Sequence, residues 1–171
     1  MQIRNGRIQY YVEGECEKKL VKILIESRLI LPGQADVLNP IQDRIKPAHL
    51  RMFPMKTSII LIFDTDQTNT DILQQNIRFL KAASNVKTVI TIPQVQNLEQ
   101  ELIKCTDIRH IRELVNCAHD SDFKTAFIEE KRLFDKLQLH HFDFKKLWSE
   151  EPNSFYGKLG IHNQSQSIKI D

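Results

Sequence analysis

The sequence has few cysteines, and their spacing indicates neither a metal site nor a disulfide framework. The three cysteines, Cys16, Cys105 and Cys117, are odd in number and form no Cys-x-x-Cys pair. Zinc sites and disulfide-rich secreted domains depend on such spacings, so neither is expected here. The sequence also shows no signal peptide, which predicts a cytoplasmic chain with free thiols.

Long apolar runs and a strong excess of one charge are absent as well. No stretch approaches the roughly 18 apolar residues of a membrane-spanning helix, so no membrane partner is expected. Lys and Arg number 24 and Asp and Glu 22, and the resulting net charge of +2 neither requires nor excludes nucleic acid. With 171 residues, 41% hydrophobic and 27% charged, the chain fits one globular domain with room for a small helical appendage.

The most informative stretch is Ser58–Asp66, in which apolar residues run without a break from Ile59 to Phe63. A short, β-branched apolar run predicts a strand that is buried on both faces of a parallel sheet. The run stops at Asp64 and Asp66, which point the same way if the chain stays extended. Ligands of open α/β sheets bind at this edge, so the pair indicates a Mg²⁺ site. Alternatively, Asp66 begins a turn and caps the next helix.

The rest of the chain shows an alternation of strand and helix patterns. Strands are expected at 7–12, 36–39, 58–63 and 87–92, the last closed by Pro93, and helices at 15–30, 47–53, 71–83, from 98, 108–118, 123–137 and 144–148. This alternation predicts an α/β fold with a Rossmann-type parallel sheet of about four strands and flanking helices. We expect one domain over residues 1–105, a helical C-terminal extension packed on it over 106–161, and a polar, frayed tail over 162–171.

Two of the expected strands end in acids. The first ends at Glu13 and Gly14, and the central one at Asp64 and Asp66. If these parallel strands are neighbours, the three carboxylates converge, and Glu17 reaches them from the first turn of the next helix. Gly14 lets the chain turn sharply and lets a ligand approach the backbone closely. Such a cluster repels itself without a cation, and Mg²⁺ with phosphoryl chemistry is the simplest explanation.

These residues carry a family resemblance. The segment Tyr11–Glu17 (YVEGECE), followed about 50 residues later by Leu61–Asp66 (LIFDTD), resembles a Toprim domain. Toprim is the metal-binding fold of topoisomerases, bacterial primases and the OLD (overcoming lysogenization defect) nucleases. The Val-Glu-Gly-x-x-Glu form is similar to the OLD-like branch, and the resemblance covers roughly residues 7 to 105. It implies a nuclease that uses Mg²⁺ or Mn²⁺ on DNA or RNA, in phage defence or DNA repair.

The resemblance also implies roles for individual residues. Glu13 would be a metal ligand or general base, Asp64 and Asp66 would hold the metal, and Glu17 would support it. Glu99 loosely matches a further acid that some members use, although it also fits a solvated helix residue.

OLD-type nucleases also use a late lysine to stabilise the developing phosphate charge. Either Lys124 or Lys158 fits this role, and nothing in the sequence chooses between them. The chain lacks the ATPase part of OLD nucleases, the tyrosine-bearing domains of topoisomerases and the zinc-binding part of primases. The second hypothesis is therefore a Toprim subunit that is inactive alone or acts through a partner protein.

A third hypothesis is a haloacid-dehalogenase-like phosphatase, because the segment Asp64–Thr68 fits the Asp-x-Asp-x-Thr motif. Asp64 would be the nucleophile and Asp66 the general acid. That motif normally opens such chains, whereas here about 57 residues precede the strand. The later acid pair would have to be Asp120 and Asp122.

Two surface features would separate a nuclease from a partner-binding subunit. A nuclease should show a basic track toward the acids, with candidates Arg44, Lys46, Arg51, Lys56 and Lys87. A subunit should show an exposed apolar patch, with candidates Phe142, Phe144, Leu147, Trp148, Phe155 and Tyr156. The alternative for these apolar residues is packing of the C-terminal helices onto the sheet. Cys16 lies near a helix start, which favours a thiolate, although no neighbouring base indicates a reactive role.

Overall fold

A computed structural model describes residues 6–170 and confirms the α/β fold with a four-stranded parallel sheet. Residues 1–5 and residue 171, which belong to the expected domain and tail, lie outside the described residues. The strands are β1 (Ile8–Val12), β2 (Gln34–Val37), β3 (Thr57–Asp64) and β4 (Val86–Gln94). They pair in the order β2-β1-β3-β4 and all run parallel, so the carboxyl ends of β1 and β3 are neighbours.

Helices follow the strands as the alternation predicts. They are α1 (Glu15–Glu26), α2 (Pro47–Arg51), α3 (Asp71–Ala82), α4 (Leu98–Cys105), α5 (Arg112–Val115), α6 (Phe123–Glu129), α7 (Leu133–Leu139) and α8 (Ser154–Lys158). Short 3-10 helices lie at Asp120–Asp122 and Ser165–Ser167. Among residues 6–170, no helix is long and apolar enough to cross a membrane.

The apolar run in β3 supplies both faces of the sheet. Ile60 and Ile62 join the larger core under α1, α4 and the C-terminal helices. Leu61 and Phe63 join the smaller core under α3 and α8. All four are fully buried, which explains why the run contains no polar residue. Because side chains alternate along a strand, Asp64 at the end of β3 lies on the same face as Ile60 and Ile62.

The fourth strand continues past its expected end at Ile92. Pro93 lies within β4, opposite Phe63, and Gln94 pairs with Asp64. The expectation that Pro93 closes the strand was therefore wrong. β4 is an edge strand, where a missing N–H removes no bond to a further strand, so proline is tolerated there.

The C-terminal helices are shorter than their apolar spacing predicts. The expected helix 108–118 is confined to Arg112–Val115, and the expected helix 123–137 is split into α6 and α7. The break after α6 is stabilised from outside, because Lys19 Nζ donates to the Ile128 and Glu130 carbonyls. Residues 144–148 form turns instead of a helix. Helix α1 also ends earlier than expected, at Glu26.

A buried carboxylate on α4 ties the C-terminal extension to the sheet. Glu101 is only 1% exposed. Its Oε1 accepts the Val95 N–H at 3.0 Å and its Oε2 accepts the Trp148 N–H at 3.0 Å. Lys104 Nζ lies 2.9 Å from Oε2 and balances the charge. All of these contacts are structural, so Glu101 belongs to the packing of the fold.

The last residues pack against the sheet, so the expectation of a frayed tail was wrong. The Gln164 N–H donates to the Thr91 carbonyl of β4 at 3.0 Å, and Gln164 Oε1 accepts the Thr91 N–H at 3.1 Å. Ile168 is fully buried, and Lys169 forms a β-bridge with Ile30. The residues around Gln164 therefore contact the outer edge of β4, whereas residues 168–170 pair with residues 29–31.

Candidate functional site

The pairing of β1 with β3 brings Glu13 against Asp64. Glu13 follows the last residue of β1, and Asp64 ends β3. The backbone N–H of Asp64 donates a hydrogen bond to Glu13 Oε2 at 3.1 Å. The two motifs that are far apart in the sequence thus meet at the carboxyl edge of the sheet, where open α/β folds bind ligands.

Asp64 is the most perturbed acid of this site. Burial, followed by the charges of Glu13, Glu17 and Asp66, raises its pKa to about 9. Its Oδ1 is buried and has no hydrogen-bond partner in the part of the chain that the structure describes. A buried carboxyl oxygen without a donor is unfavourable unless a ligand completes it. Asp64 therefore needs a proton or a cation at neutral pH.

Glu17 reaches the same edge from the first turn of α1. Burial raises its pKa, and the charges of Glu13 and Glu99 raise it further. The backbone at Gly14 is extended, with a φ of −150°, so no left-handed turn requires glycine there. A Cβ at Gly14 would lie 3.0 Å from Glu17 Oε2, so glycine leaves room for this carboxylate.

Asp66 lies in the exposed loop after β3, and Tyr156 holds that loop from the other face of the sheet. The Tyr156 hydroxyl donates to the Gln67 carbonyl at 2.8 Å, and its ring stacks on Phe63. Burial raises the pKa of Tyr156 to about 12, and the charge of Asp66 contributes next. The Asp71 N–H donates to the side chain of Asn69, so Asp66 is not the cap of α3.

Lys124, near the start of α6, is the lysine that lies beside the acids. Its Nζ is 3.7 Å from Glu99 Oε1. The charges of Glu99, Glu17 and Asp64 raise the pKa of Lys124, so it stays protonated at neutral pH. Its backbone carbonyl is held by the Cys16 thiol at 3.7 Å. Glu99 thus turns toward the site and is not merely a solvated helix acid.

Gln94 is a site residue that the sequence analysis missed. Its side chain is fully buried, and neither its Oε1 nor its Nε2 has a hydrogen-bond partner among the described residues. Its backbone carbonyl accepts from the N–H and the hydroxyl of Thr65, which fixes it beside Asp64. Proline can occur within an edge strand, so the sequence also allows a strand that continues through Pro93 to Gln94.

The expected basic track is only partly assembled. Arg44 and Lys46 follow β2 at the carboxyl edge of the sheet and line a cavity of about 410 Å³. Lys56 and Lys87 lie at the amino ends of β3 and β4, on the opposite edge. Arg51 lies at the end of α2 that approaches this opposite edge, because Asn85 binds the Leu50 and Phe53 carbonyls.

The C-terminal aromatic residues pack, as the alternative interpretation expected. Leu147, Trp148 and Tyr156 are fully buried, whereas Phe155 is 42% exposed. Phe142 and Phe144 are partly buried against the larger core. These residues therefore do not form an exposed apolar patch.

Cys16 and the acid pair of the phosphatase hypothesis, Asp120 and Asp122, are the remaining candidates from the sequence. Burial raises the pKa of Cys16 to about 11, so its place near the helix start does not produce a thiolate, which agrees with the expectation that it has no reactive role. Asp120 accepts the Arg112 N–H and Asp122 accepts from Ser121, and neither acid is among the main charges that raise the pKa of Asp64.

Within residues 6–170, no three His, Cys, Asp or Glu side chains are gathered closely enough to hold a metal ion as they stand. The chain has no match among models of known protein families, curated proteins or solved structures.

Proposed function

We propose that this chain is a Toprim-like nuclease that hydrolyses a nucleic-acid phosphodiester with Mg²⁺ or Mn²⁺. The observation that carries the proposal is the meeting of Glu13 and Asp64 through the Asp64 N–H. It supports a single site built from the Glu-Gly and Asp-x-Asp motifs. The buried, unpartnered Asp64 Oδ1 supports a cation there, because carboxylate oxygens are the ligands that Mg²⁺ prefers.

Asp64 and Asp66 would hold the metal, with Glu13 and Glu17 completing the set. A bound Mg²⁺ would polarise the phosphate and neutralise its charge. Binding would require the carboxylates to draw together around the cation, whose positive charge would offset their mutual repulsion. A neutral amide in place of Asp64 would leave that position without a charged ligand.

The protein's own groups would move the proton and stabilise charge. Glu17 reaches the site from the first turn of α1, so its carboxylate would lie within the set that can accept a proton from the attacking water. Glu13 is oriented by the Asp64 N–H and shares that role. Lys124 is protonated and faces Glu99, so its ammonium group would stabilise the negative charge that develops on the phosphate.

The test is cleavage of plasmid DNA, single-stranded DNA and structured RNA with Mg²⁺ or Mn²⁺. The control carries Asp64→Asn and Asp66→Asn together. Cleavage by the wild type that disappears in the control supports the proposal and identifies the substrate. If the wild type binds the metal but cleaves none of the three substrates, the partner-dependent Toprim subunit becomes the better hypothesis.

The two alternatives have less support from the geometry. The partner-dependent hypothesis expected an exposed apolar patch, and its candidates Trp148 and Tyr156 are buried. The phosphatase hypothesis needs Asp120 and Asp122 beside Asp64, and neither acid is among the main charges that raise the pKa of Asp64. A role in phage defence or DNA repair follows only from the family resemblance.

A further inference from the structure

Gln94 ends β4 directly beside Asp64 and has an unusual environment. The side chain is 0% exposed, and both polar atoms of its carboxamide lack a partner among residues 6–170. Burying a polar group without a hydrogen bond is unfavourable, so such a group in a native protein calls for a partner such as a bound water or ion. The carboxamide of Gln94 therefore points to a ligand at this edge of the sheet.

The direction of the Gln94 side chain follows from strand register. Gln94 pairs with Asp64, and two residues earlier Ile92 pairs with Ile62. Ile92 and Ile62 belong to the same core under α1 and α4. Because side chains alternate along a strand, Gln94 and Asp64 extend toward that same face. The unpartnered carboxamide and the unpartnered Asp64 Oδ1 thus share one end of the site.

We propose that Gln94 Oε1 is an oxygen ligand of the divalent cation, bound to the ion or to one of its water ligands. This inference rests on the proposed function, which assigns that cation to Asp64. The site already holds the carboxylates of Glu13, Glu17 and Asp64, and unshielded carboxylates repel one another. A further carboxylate would increase the repulsion, whereas a neutral carboxamide supplies an oxygen of the kind that Mg²⁺ and Mn²⁺ accept without adding charge.

The test compares Gln94→Met with wild type in two measurements. Met has a similar length and no hydrogen-bonding group, so it removes the unpaired atoms without leaving a large cavity. We expect the melting temperature in EDTA to rise by about 2–4 °C, since two buried unpaired groups are lost. We expect Mn²⁺ affinity, measured by the electron paramagnetic resonance signal of free Mn²⁺, to fall at least about tenfold.

Two further variants make the comparison specific. Gln100→Met places the same substitution at an exposed position of α4 and should change neither the melting temperature nor Mn²⁺ affinity. Gln94→Glu keeps an oxygen ligand, so it should retain Mn²⁺ binding while lowering the melting temperature in EDTA. This variant also keeps the proposal testable if Gln94→Met does not fold.

The outcomes separate this inference from the proposed function. If Gln94→Met binds Mn²⁺ as wild type does while Asp64→Asn has lost binding, Gln94 is not a ligand and the cation site at Asp64 stands. If Gln94→Glu loses Mn²⁺ binding, the ion does not bind through an oxygen at position 94, and the inference is also overturned. If the wild type does not bind Mn²⁺, both the cation site and the role of Gln94 are wrong.

Discussion

The backbone N–H of Asp64 donates a hydrogen bond to Glu13 Oε2 across 51 positions of the chain. The bond orients the Glu13 carboxylate but leaves its charge in place. Burial first, and that charge next, raise the pKa of the Asp64 carboxyl to about 9. The burial of like-charged carboxylates at this site therefore lowers the stability of the folded protein, and this cost can be measured.

The first prediction concerns Asp64→Asn and Asp66→Asn. Both changes should abolish metal-dependent cleavage. Asp64→Asn should also stabilise the metal-free protein by about 3 kcal/mol or more at pH 8, because it removes a buried acid that is repelled by its neighbours. Asp66 is exposed, so Asp66→Asn should change the free energy of unfolding by less than about 0.5 kcal/mol. Urea unfolding in EDTA measures both values, and a loss of folding in Asp64→Asn would contradict the prediction.

The second prediction is a pH dependence of stability without divalent cations. The folded pKa of Asp64, about 9, lies above the ordinary value of 3.8, so the folded protein retains a proton that the unfolded chain releases. The contribution of Asp64 to stability is complete below pH 4 and is lost as pH rises toward 9.

The difference in unfolding free energy between wild type and Asp64→Asn should therefore grow by about 1 kcal/mol per pH unit between pH 5 and 8. Urea titrations at several pH values in EDTA measure it. Saturating Mg²⁺ should flatten the dependence in the wild type, because a bound cation stabilises the ionised carboxylate. A constant difference across this range would show that Asp64 has an ordinary pKa.

The third prediction distinguishes the two candidate lysines. Lys124→Met should lower the rate of cleavage by about 10²-fold, the typical loss when one charge-stabilising donor is removed. Its side chain is 74% exposed, so the stability should hardly change. Lys158→Met, on α8, serves as the matched control and should retain wild-type activity. Equal losses in the two variants would mean that Lys124 has no special place in the site.

The fourth prediction contrasts two glutamates on α4. Glu101→Ala leaves the Val95 and Trp148 N–H groups without their acceptor and removes the closer of the two carboxylates that pair with Lys104, so it should destabilise the protein by about 3 kcal/mol. Glu99→Ala removes only a partly exposed pair with Lys124 and should cost less than about 0.5 kcal/mol. Thermal unfolding in EDTA compares them. A small effect of Glu101→Ala would mean that the extension docks without this carboxylate.

The fifth prediction concerns the hydroxyl of Tyr156. Tyr156→Phe removes the bond to the Gln67 carbonyl and should destabilise the protein by about 1 kcal/mol. It should also weaken Mn²⁺ binding, since the loop that carries Asp66 loses its anchor. Tyr10→Phe removes a similar bond, to the Leu31 carbonyl, away from the acids. Tyr10→Phe should lower the stability by a similar amount and leave the Mn²⁺ affinity unchanged. Equal Mn²⁺ affinities in the two variants would argue against an anchoring role for Tyr156.

The central part of the fold could be predicted because one constraint dominates there. A strand that is buried on both faces must be apolar throughout, so the strand at Ile59–Phe63 can be recognised from the sequence without any tertiary information. The position of Glu13 beside Asp64 then follows from parallel pairing of their strands. The predicted site residues at this edge lie near each other for that reason.

Features set by distant contacts could not be predicted. The spacing that gives one long helix over 123–137 also suits two short ones, and the break depends on Lys19 of α1 reaching the Ile128 carbonyl. Glu99 and Glu101 look alike in the sequence, and only the packing of the C-terminal extension makes one a structural anchor. Gln94 lies beyond the expected end of the last strand, because a proline such as Pro93 usually ends a strand.

The contact between Gln164 and Thr91 bears on whether the sheet can pair with other chains. Without this contact, the outer edge of β4 would expose free N–H and C=O groups, the kind of edge on which strands of other chains assemble. Limited proteolysis after Gly160 that releases the segment is therefore expected to promote self-association.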